Sequence, residues 1–195
     1  MSVKGSITTA DYLDFDEYKR LVVELEEDKH YRYSLYCVLA FCLGLRISDV
    51  LKLKWEDILD RKNVLVIEKK TGKTRSIPIG IKTAQHIKRA YEQLGWPDVK
   101  QYVFVSHDRN KPITRQAVNK RLKEWKVEYG LNIKNFSSHT FRKTFGRYVY
   151  ESMGRSDEAL IILNRIFRHT SIQTTMVYIG LRDDEISKVF NNLDI

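Results

Sequence analysis

This 195-residue chain has only two cysteines and no apolar run long enough to span a bilayer, which takes roughly 18 residues. The longest candidate, Leu35 to Leu45, is broken by Gly44 and ended by Arg46. The first residues, MSVKGSITTADYLDFDEY, have no apolar centre and so do not form a secretory signal. The expected location is therefore the cytoplasm, with no membrane partner. Cys37 and Cys42 lie five apart in an apolar helical stretch, point to different sides, and cannot bridge without breaking the helix. Both are expected as small buried hydrophobes. The five histidines, His30, His86, His107, His139 and His169, show no metal-ligand spacing. There is no GxxxxGK[ST] phosphate loop, no GxSxG elbow and no tight carboxylate cluster of the kind two-metal nucleases use. Neither a metal nor a cofactor is expected. No internal repeat or low-complexity tract appears.

What is present is positive charge, unevenly spread. The formal net charge is +9. Residues 1–30 carry eight acidic and four basic groups, so the rest of the chain holds a net +13. Arg61 to Arg89 has nine basic groups and one acid; Arg109 to Lys126 has seven and one. Such clusters suit a polyanion, because each neutralised phosphate releases condensed counterions. With 43% hydrophobic residues over this length, one well-buried domain is expected, or a large lobe with a small appendage.

The hydropathy pattern predicts a mainly helical domain with a small antiparallel β element near the front. Asp14, with Glu17 three residues on, reads as a capping box opening a helix whose apolar side is Tyr18, Leu21, Val22 and Leu25. Tyr31 to Leu45 reads as a core helix, followed by a turn or two at Ser48 to Leu53. Val64 to Ile67 and Ser76 to Ile79 are β-type runs flanking the basic tip Lys69-Lys70-Thr71-Gly72-Lys73-Thr74-Arg75, a hairpin. A helix over Thr83 to Leu94 stops at Gly95 and Pro97, and Tyr102 to Val105 reads as a short buried strand. Thr114 caps a helix reaching about Tyr129, with Ala117, Val118, Leu122 and Trp125 on its apolar side. Its other side holds Arg115, Asn119, Lys120, Lys123 and Lys126. Helices are then expected over His139 to Met153, Ser156 to Arg168 and Thr170 to Ile179. An amphipathic tail follows, with the stripe Ile186, Val189, Phe190 and Leu193.

Three short segments carry chemistry: Gly44-Leu45-Arg46-Ile47-Ser48-Asp49, His139-Thr140-Phe141-Arg142, and His169-Thr170-Ser171-Ile172-Gln173-Thr174-Thr175-Met176-Val177-Tyr178. Each is unremarkable alone. In this order, with the basic hairpin between the first and second, they resemble the tyrosine recombinase (phage integrase) family over roughly residues 12 to 190. The resemblance implies a site-specific recombinase that breaks and rejoins double-stranded DNA through a 3′-phosphotyrosine. It implies the tyrosine recombinase/type IB topoisomerase catalytic-domain fold over 13–195, after an extension or linker at 1–12 and including a C-terminal helix at 182–193.

Carried over residue by residue, the resemblance makes Arg46 and Arg142 the arginine pair on the scissile phosphate. His139 and His169 add hydrogen bonds there, and His139 also helps take the tyrosine proton. Tyr178 is the nucleophile, and Asp49 is the acid that orients Arg46 or His139. The hairpin lysine that protonates the leaving oxygen is taken as Lys70, counting back from Pro78 and matching a Lys-(Thr/Gly)-x-Lys pattern. Lys69, Lys73 and Arg75 are then DNA contacts, as are Arg115, Asn119, Lys120 and Lys123 on the helix that family members lay against DNA. The family also implies a homotetramer on DNA, formed from free monomers, with exchange of the C-terminal helix.

Two departures stand out. Members typically carry Leu-Gly-His before the second histidine, where this chain has Phe167-Arg168-His169; Arg168 would alter the turn or add a phosphate contact. The stretch from Arg142 to His169 is also longer than expected, with the extra residues placed near Gly154-Arg155-Ser156. Most integrases further carry a helical core-binding domain ahead of the catalytic one. The chain is expected to be either a piece of a longer recombinase or a short single-domain invertase of the fimbrial-switch kind. Two other readings share the fold: a type IB topoisomerase, which the second histidine block and short tail disfavour, and a catalytically silent DNA-binding module.

Overall fold

A computed structural model describes residues 10–67, 74–106 and 111–181. Along the chain these form α1 (Phe15–Glu27), α2 (Tyr31–Cys42), the one-turn helices α3 (Ile47–Val50) and α4 (Trp55–Ile58), and the strands β1 (Asn63–Ile67) and β2 (Thr74–Pro78). There follow α5 (Ile81–Gln93), α6 (Arg115–Glu128), α7 (Thr140–Ser152), α8 (Asp157–Phe167) and α9 (Ile172–Tyr178). The class is as expected, mainly α with one antiparallel pair. The hairpin tip with Lys69, Lys70 and Lys73, and the expected tail helix at 182–193, lie outside the described residues.

The strongest apolar segment becomes the centre. In α2, every residue from Ser34 to Phe41 is buried, and α1, α5 and α7 pack around it. That helix ends sooner than its apolar run suggests, because Gly44 takes a left-handed φ of +55°. A Cβ there would also sit 2.9 Å from the Phe145 ring. The early stop has a second consequence. Cys37 is buried, but Cys42, in the last turn, is exposed, contrary to the expectation for both. Arg46 then starts α3 in extended backbone conformation.

Capping chemistry sets most other starts. Asp14 accepts from the Asp16 amide (2.8 Å), Thr114 from Ala117 (3.1 Å), Ser156 from Ala159 (3.2 Å) and Ser171 from Thr174 (3.1 Å). Glu17 does not close the expected box with Asp14. The loop after α6 lies beside it, and its Oε1 accepts instead from the Asn132 amide at 2.6 Å. On α6, Val118, Leu122 and Trp125 are buried but Ala117 is exposed, because the first turn projects beyond the core. The one-turn α4 was not anticipated; Asp57 accepts from the Lys54 amide, and Trp55 and Ile58 turn inward.

The hairpin pairs Val64 with Ile77 and Leu65 with Ser76. Val64 and Ile77 face the core, while Leu65 and Ile67 are exposed. The expected strand Tyr102 to Val105 reduces to isolated bridges, Lys54 with Tyr102 and Val105 with Pro112. Val103 and Phe104 are fully buried there, so the apolar run marks a core loop crossing rather than a third strand. At the front, residues 10–14 run along the domain: Asp11 exchanges hydrogen bonds with Asn135, and the Leu13 amide donates to Thr144 Oγ1 at 2.9 Å.

Among the described residues, buried apolar side chains fall into two clusters. The larger draws on α1 to α6 and ends at Phe141; the smaller gathers Tyr150, Ala159, Leu160, Leu163, Phe167, Ile179 and Leu181. Phe145 packs against both. Gly146 lets α7 approach the smaller one, since a Cβ there would lie 2.6 Å from Ile179 Cγ2 and 2.9 Å from Phe167 Cε2.

Candidate active site

Arg142 is the hub of the site. It is 5% exposed, on the first turn of α7. One guanidinium nitrogen, Nη1, donates to the Gly44 carbonyl, and Nη2 donates to the Phe167 carbonyl at 3.1 Å. Its plane lies over the Phe167 ring, 4.3 Å from the centroid. Two carbonyls far apart in sequence thus fix one side chain. One directly precedes Leu45-Arg46, the other directly precedes Arg168-His169. A planar fork with five donors in fixed directions can hold both in one plane and keep donors to spare; the single nitrogen of an ammonium cannot reach both carbonyls that way. Burial, with the nearby charges of Arg46 and Arg75, pulls Arg142 down to about 10, against the favourable pull of Tyr178. It stays charged at neutral pH.

Around Arg142 stand Arg46, His139, His169 and Tyr178. Arg46 is exposed at the start of α3, and His139 is half-buried at the start of α7. Burial lowers the His139 pKa, and the charges of Arg115, Arg142, Lys143 and Arg46 lower it further. His169 is pushed down to about 4 by burial and then by Arg142 and Arg46. Both imidazoles are therefore neutral at pH 7. Tyr178, the last residue of α9, packs its ring edge-on against His169 (centroids 5.0 Å apart) and Phe167 (5.2 Å). Its Oη is buried and has no aligned hydrogen-bond partner among the described residues. Burial raises its pKa, while the adjoining Arg142 and, more weakly, Arg46 pull it back. The neighbourhood is a set of cations and neutral imidazoles around one phenol. Among the described residues no cluster of His, Cys, Asp or Glu could hold a metal ion.

Left-handed backbone places His169. Arg168 ends α8 at φ +54°, ψ +49°, and the His169 amide then donates back to the Asn164 carbonyl at 3.2 Å. The preceding carbonyl, Ile166 O, accepts from Arg75 Nη1 at 2.7 Å. Arg75, expected only as a DNA contact, thus caps α8 from the hairpin, and burial lowers its pKa. Asp49 accepts from its neighbour Ser48 Oγ at 3.1 Å. No ion pair joins it to Arg46 or His139 among the described residues, so the orienting contact expected of it is not formed; a one-turn helix turns its carboxylate toward Ser48.

The basic face begins at His139. An open groove of about 440 Å³ is lined by Arg115, Gln116, Asn119, Lys120, Lys123, Ser138 and His139. The helix expected to lie on DNA therefore shares a groove with the candidate chemistry. Asn119 Oδ1 accepts from the Ser138 amide at 2.9 Å, so this side chain also holds the loop that presents His139. A second groove of about 380 Å³ continues from Lys123 past Lys126 and Lys134. Lys134 was missed in the sequence because it lies on a loop, where helical spacing gives no signal. Lys143 was missed too. It is 7% exposed, and its Nζ lies 5.5 Å from the centre of the Tyr178 ring. Its position next to Arg142 in HxxRK was the one available clue.

Comparison with known proteins agrees with this geometry. A probable integrase/recombinase of Bacillus subtilis, YoeC, is 36% identical over 153 residues, covering 77% of this chain and 80% of that protein. Tyrosine recombinase XerC of Proteus mirabilis is 26% identical over 182 residues, 92% of this chain but 57% of XerC. Of the solved structures, XerA recombinase superposes with a TM-score of 0.68 at 23% identity, over 94% of this chain and 65% of XerA. XerH bound to its difH substrate gives 0.69 at 18%, over 93% and 54%. The fold is that of tyrosine recombinase catalytic domains, and the chain spans about half to four-fifths of the relatives it matches. Residues 11–185 match the phage integrase family, and the chain belongs to that family.

Proposed function

We propose that this chain cuts and rejoins double-stranded DNA at a specific site, with Tyr178 as nucleophile. The observation that carries this is the double clamp on Arg142. It draws the Gly44-Leu45-Arg46, His139-x-x-Arg142 and His169-to-Tyr178 segments to one point. Arg46 and Arg142 bind the scissile phosphate. Charge grows on its oxygens as the phosphorus becomes five-coordinate, so fixed guanidiniums stabilise the transition state more than the ground state. His139 and His169 add hydrogen bonds.

A phenol with a pKa of about 10 or above is neutral at pH 7 and needs a proton acceptor. Neutral His139 takes the Tyr178 proton as Oη attacks phosphorus. The bond from phosphorus to the 5′-oxygen breaks, and Lys70 protonates that oxygen. The phosphodiester energy stays in the tyrosine ester, so the reverse attack by a 5′-hydroxyl needs neither nucleotide nor metal. Lys69, Lys73, Arg75, Arg115, Asn119, Lys120, Lys123 and Arg168 hold the flanking duplex. Monomers assemble as a tetramer on two DNA sites by exchanging the segment bearing Ile186, Val189, Phe190 and Leu193. The expected compartment is the cytoplasm; no described helix is long and apolar enough to cross a membrane.

The test is covalent trapping on nicked duplexes drawn from DNA flanking the source gene, where loss of the 5′-hydroxyl fragment prevents reversal. Wild type is expected to give an SDS-resistant protein–DNA adduct without added metal, and Tyr178→Phe none. An adduct that persists in Tyr178→Phe refutes the nucleophile. Supercoil relaxation by monomers without strand exchange would instead indicate topoisomerase activity.

A further inference from the structure

His169 is held by more than its main chain. Its Nδ1 lies 3.0 Å from Thr175 Oγ1, six residues on and one turn before Tyr178. Thr175 is fully buried. The same hydroxyl accepts from Asn164 Nδ2 at 3.2 Å, and the carbonyl of Asn164 holds the His169 amide. A hydroxyl has one proton to give. Asn164 takes one of the hydroxyl's two acceptor sites and asks for no proton, which leaves the threonine proton available to His169 Nδ1. A ring nitrogen that accepts has its lone pair in the ring plane and no proton. In a neutral imidazole the proton then sits on the other nitrogen, Nε2.

We propose that Asn164 and Thr175 form a proton-orienting relay that fixes His169 as the Nε2–H tautomer, making it a permanent hydrogen-bond donor to the scissile phosphate. This rests on the recombinase reading of the site and goes beyond it. Asn164 and Thr175 are positioning residues. They touch no substrate and act through the imidazole, as the partner of a metal-ligating histidine sets its tautomer and ring plane. The relay also divides the work of the two histidines. With Nδ1 occupied and Nε2 protonated, His169 has no lone pair left for the Tyr178 proton, although the two rings touch. The acceptor must then be His139, whose ring takes no such bond among the described residues. The direction of the chain matters. Were the Asn164 amide turned about, Thr175 would donate to it and His169 would carry its proton on Nδ1, presenting a lone pair to an anion.

The experiment has two parts. Nitrogen-15 spectra of the full chain, labelled at histidine, read the tautomer directly. The expected result is a protonated Nε2 and an unprotonated, hydrogen-bonded Nδ1 at His169; a protonated Nδ1 would overturn the relay. Thr175→Val keeps the shape and removes the hydroxyl. It should move the Nδ1 signal to that of a free lone pair and slow single-turnover cleavage about tenfold at unchanged KM for DNA. Thr175→Ser should restore both. Wild-type cleavage by folded Thr175→Val would also overturn the relay, and the wild-type spectrum decides the matter if that variant does not fold. The two readings fail separately. A correct tautomer in a chain that forms no adduct breaks the recombinase reading and leaves the relay standing. An adduct in a chain with Nδ1 protonated does the reverse.

Discussion

The larger and smaller hydrophobic clusters divide the site between them. Arg46 and His139 rise from the large one, built around α2 and rich in fully buried aromatics such as Trp55, Trp125, Tyr36 and Phe104. His169 and Tyr178 sit on the small one, a few residues of α7, α8 and α9. A small core buries less apolar surface, and at about 25 cal/mol per Å² it resists opening correspondingly less. The half that carries Arg46 and His139 therefore rests on the firmer base, and the half that carries His169 and Tyr178 on the looser one.

Arg142 is where the halves join, and breaking it should give the largest effect. Arg142→Lys keeps one charge but cannot serve the Gly44 and Phe167 carbonyls in one plane. Hydrogen bonds from charged donors are each worth roughly 1.5–3 kcal/mol, so a loss near 2 kcal/mol is expected in urea unfolding. Cleavage should fall about a hundredfold or more, as when one oxyanion donor is removed. Hydrogen exchange would locate the damage: amides of α8 and α9 should lose protection while α2 keeps it. Uniform loss in both clusters would show that Arg142 is not the joint.

Gly146→Ala tests the packing side of the same joint. Alanine is better than glycine in a helix by up to about 1 kcal/mol. Here the added methyl meets Ile179 and Phe167 at distances no carbon pair tolerates. Overpacking of this kind costs about 1–3 kcal/mol, so the net change should be destabilising by about 1 kcal/mol. Because α9 would be displaced, adduct formation should slow while DNA binding through α6 is unchanged. A stabilised variant would mean that the small cluster yields freely.

These joints explain what the sequence could and could not reveal. The segments that meet at Arg142 were legible because they are written in linear order: Arg46, His-x-x-Arg, and a histidine nine residues before a tyrosine. Local rules also worked where the cause is local, as at Asp14, Thr114 and Ser156. What stayed hidden depends on residues distant in sequence. Nothing in the composition of the hairpin says that Arg75 caps α8, or that Asn119 holds Ser138. Glu17 was read as a capping partner because spacing is visible and the Asn132 amide beside it is not. Tyr102 to Val105 has a strand's composition, and only tertiary pairing shows that it makes single bridges.

Acid should separate the two halves by a smaller margin. His86, in the large cluster, has its pKa lowered by burial, partly offset by Glu26 and reinforced by Arg89. His139 and His169 are lowered as well. A histidine whose folded pKa lies below its unfolded value of about 6.5 adds stability above that value, and the contribution is lost as pH falls through the folded one. Stability in urea should therefore decline steadily from pH 7 toward the His169 value of about 4. His169→Asn should decline less steeply, and its benefit should appear first in the amides of α8 and α9. Bound DNA should flatten the slope, since a phosphate beside His139 and His169 raises both values. A wild-type chain equally stable at pH 5 and 7 would refute the assignment.

The smallest effect expected is at Arg168, and its sign is the informative part. The left-handed conformation that ends α8 strains a side chain with a Cβ by roughly 1–2 kcal/mol. Glycine removes that strain and adds about 0.5–1 kcal/mol of unfolded-chain entropy, so Arg168→Gly should stabilise the small cluster by about 0.5 kcal/mol. An exposed arginine in a strained left-handed conformation makes sense if its charge serves DNA. The same variant should then bind duplex more weakly, and the salt dependence of binding should lose about one counterion's worth of slope. Arg168→Lys, with the strain and charge kept, should match wild type in both measurements. Stabilisation without any change in salt slope would remove Arg168 from the DNA-contact set and leave its side chain unexplained. Destabilisation would mean that the arginine's own contacts outweigh the strain, and that the joint at His169 depends on side-chain as well as backbone geometry.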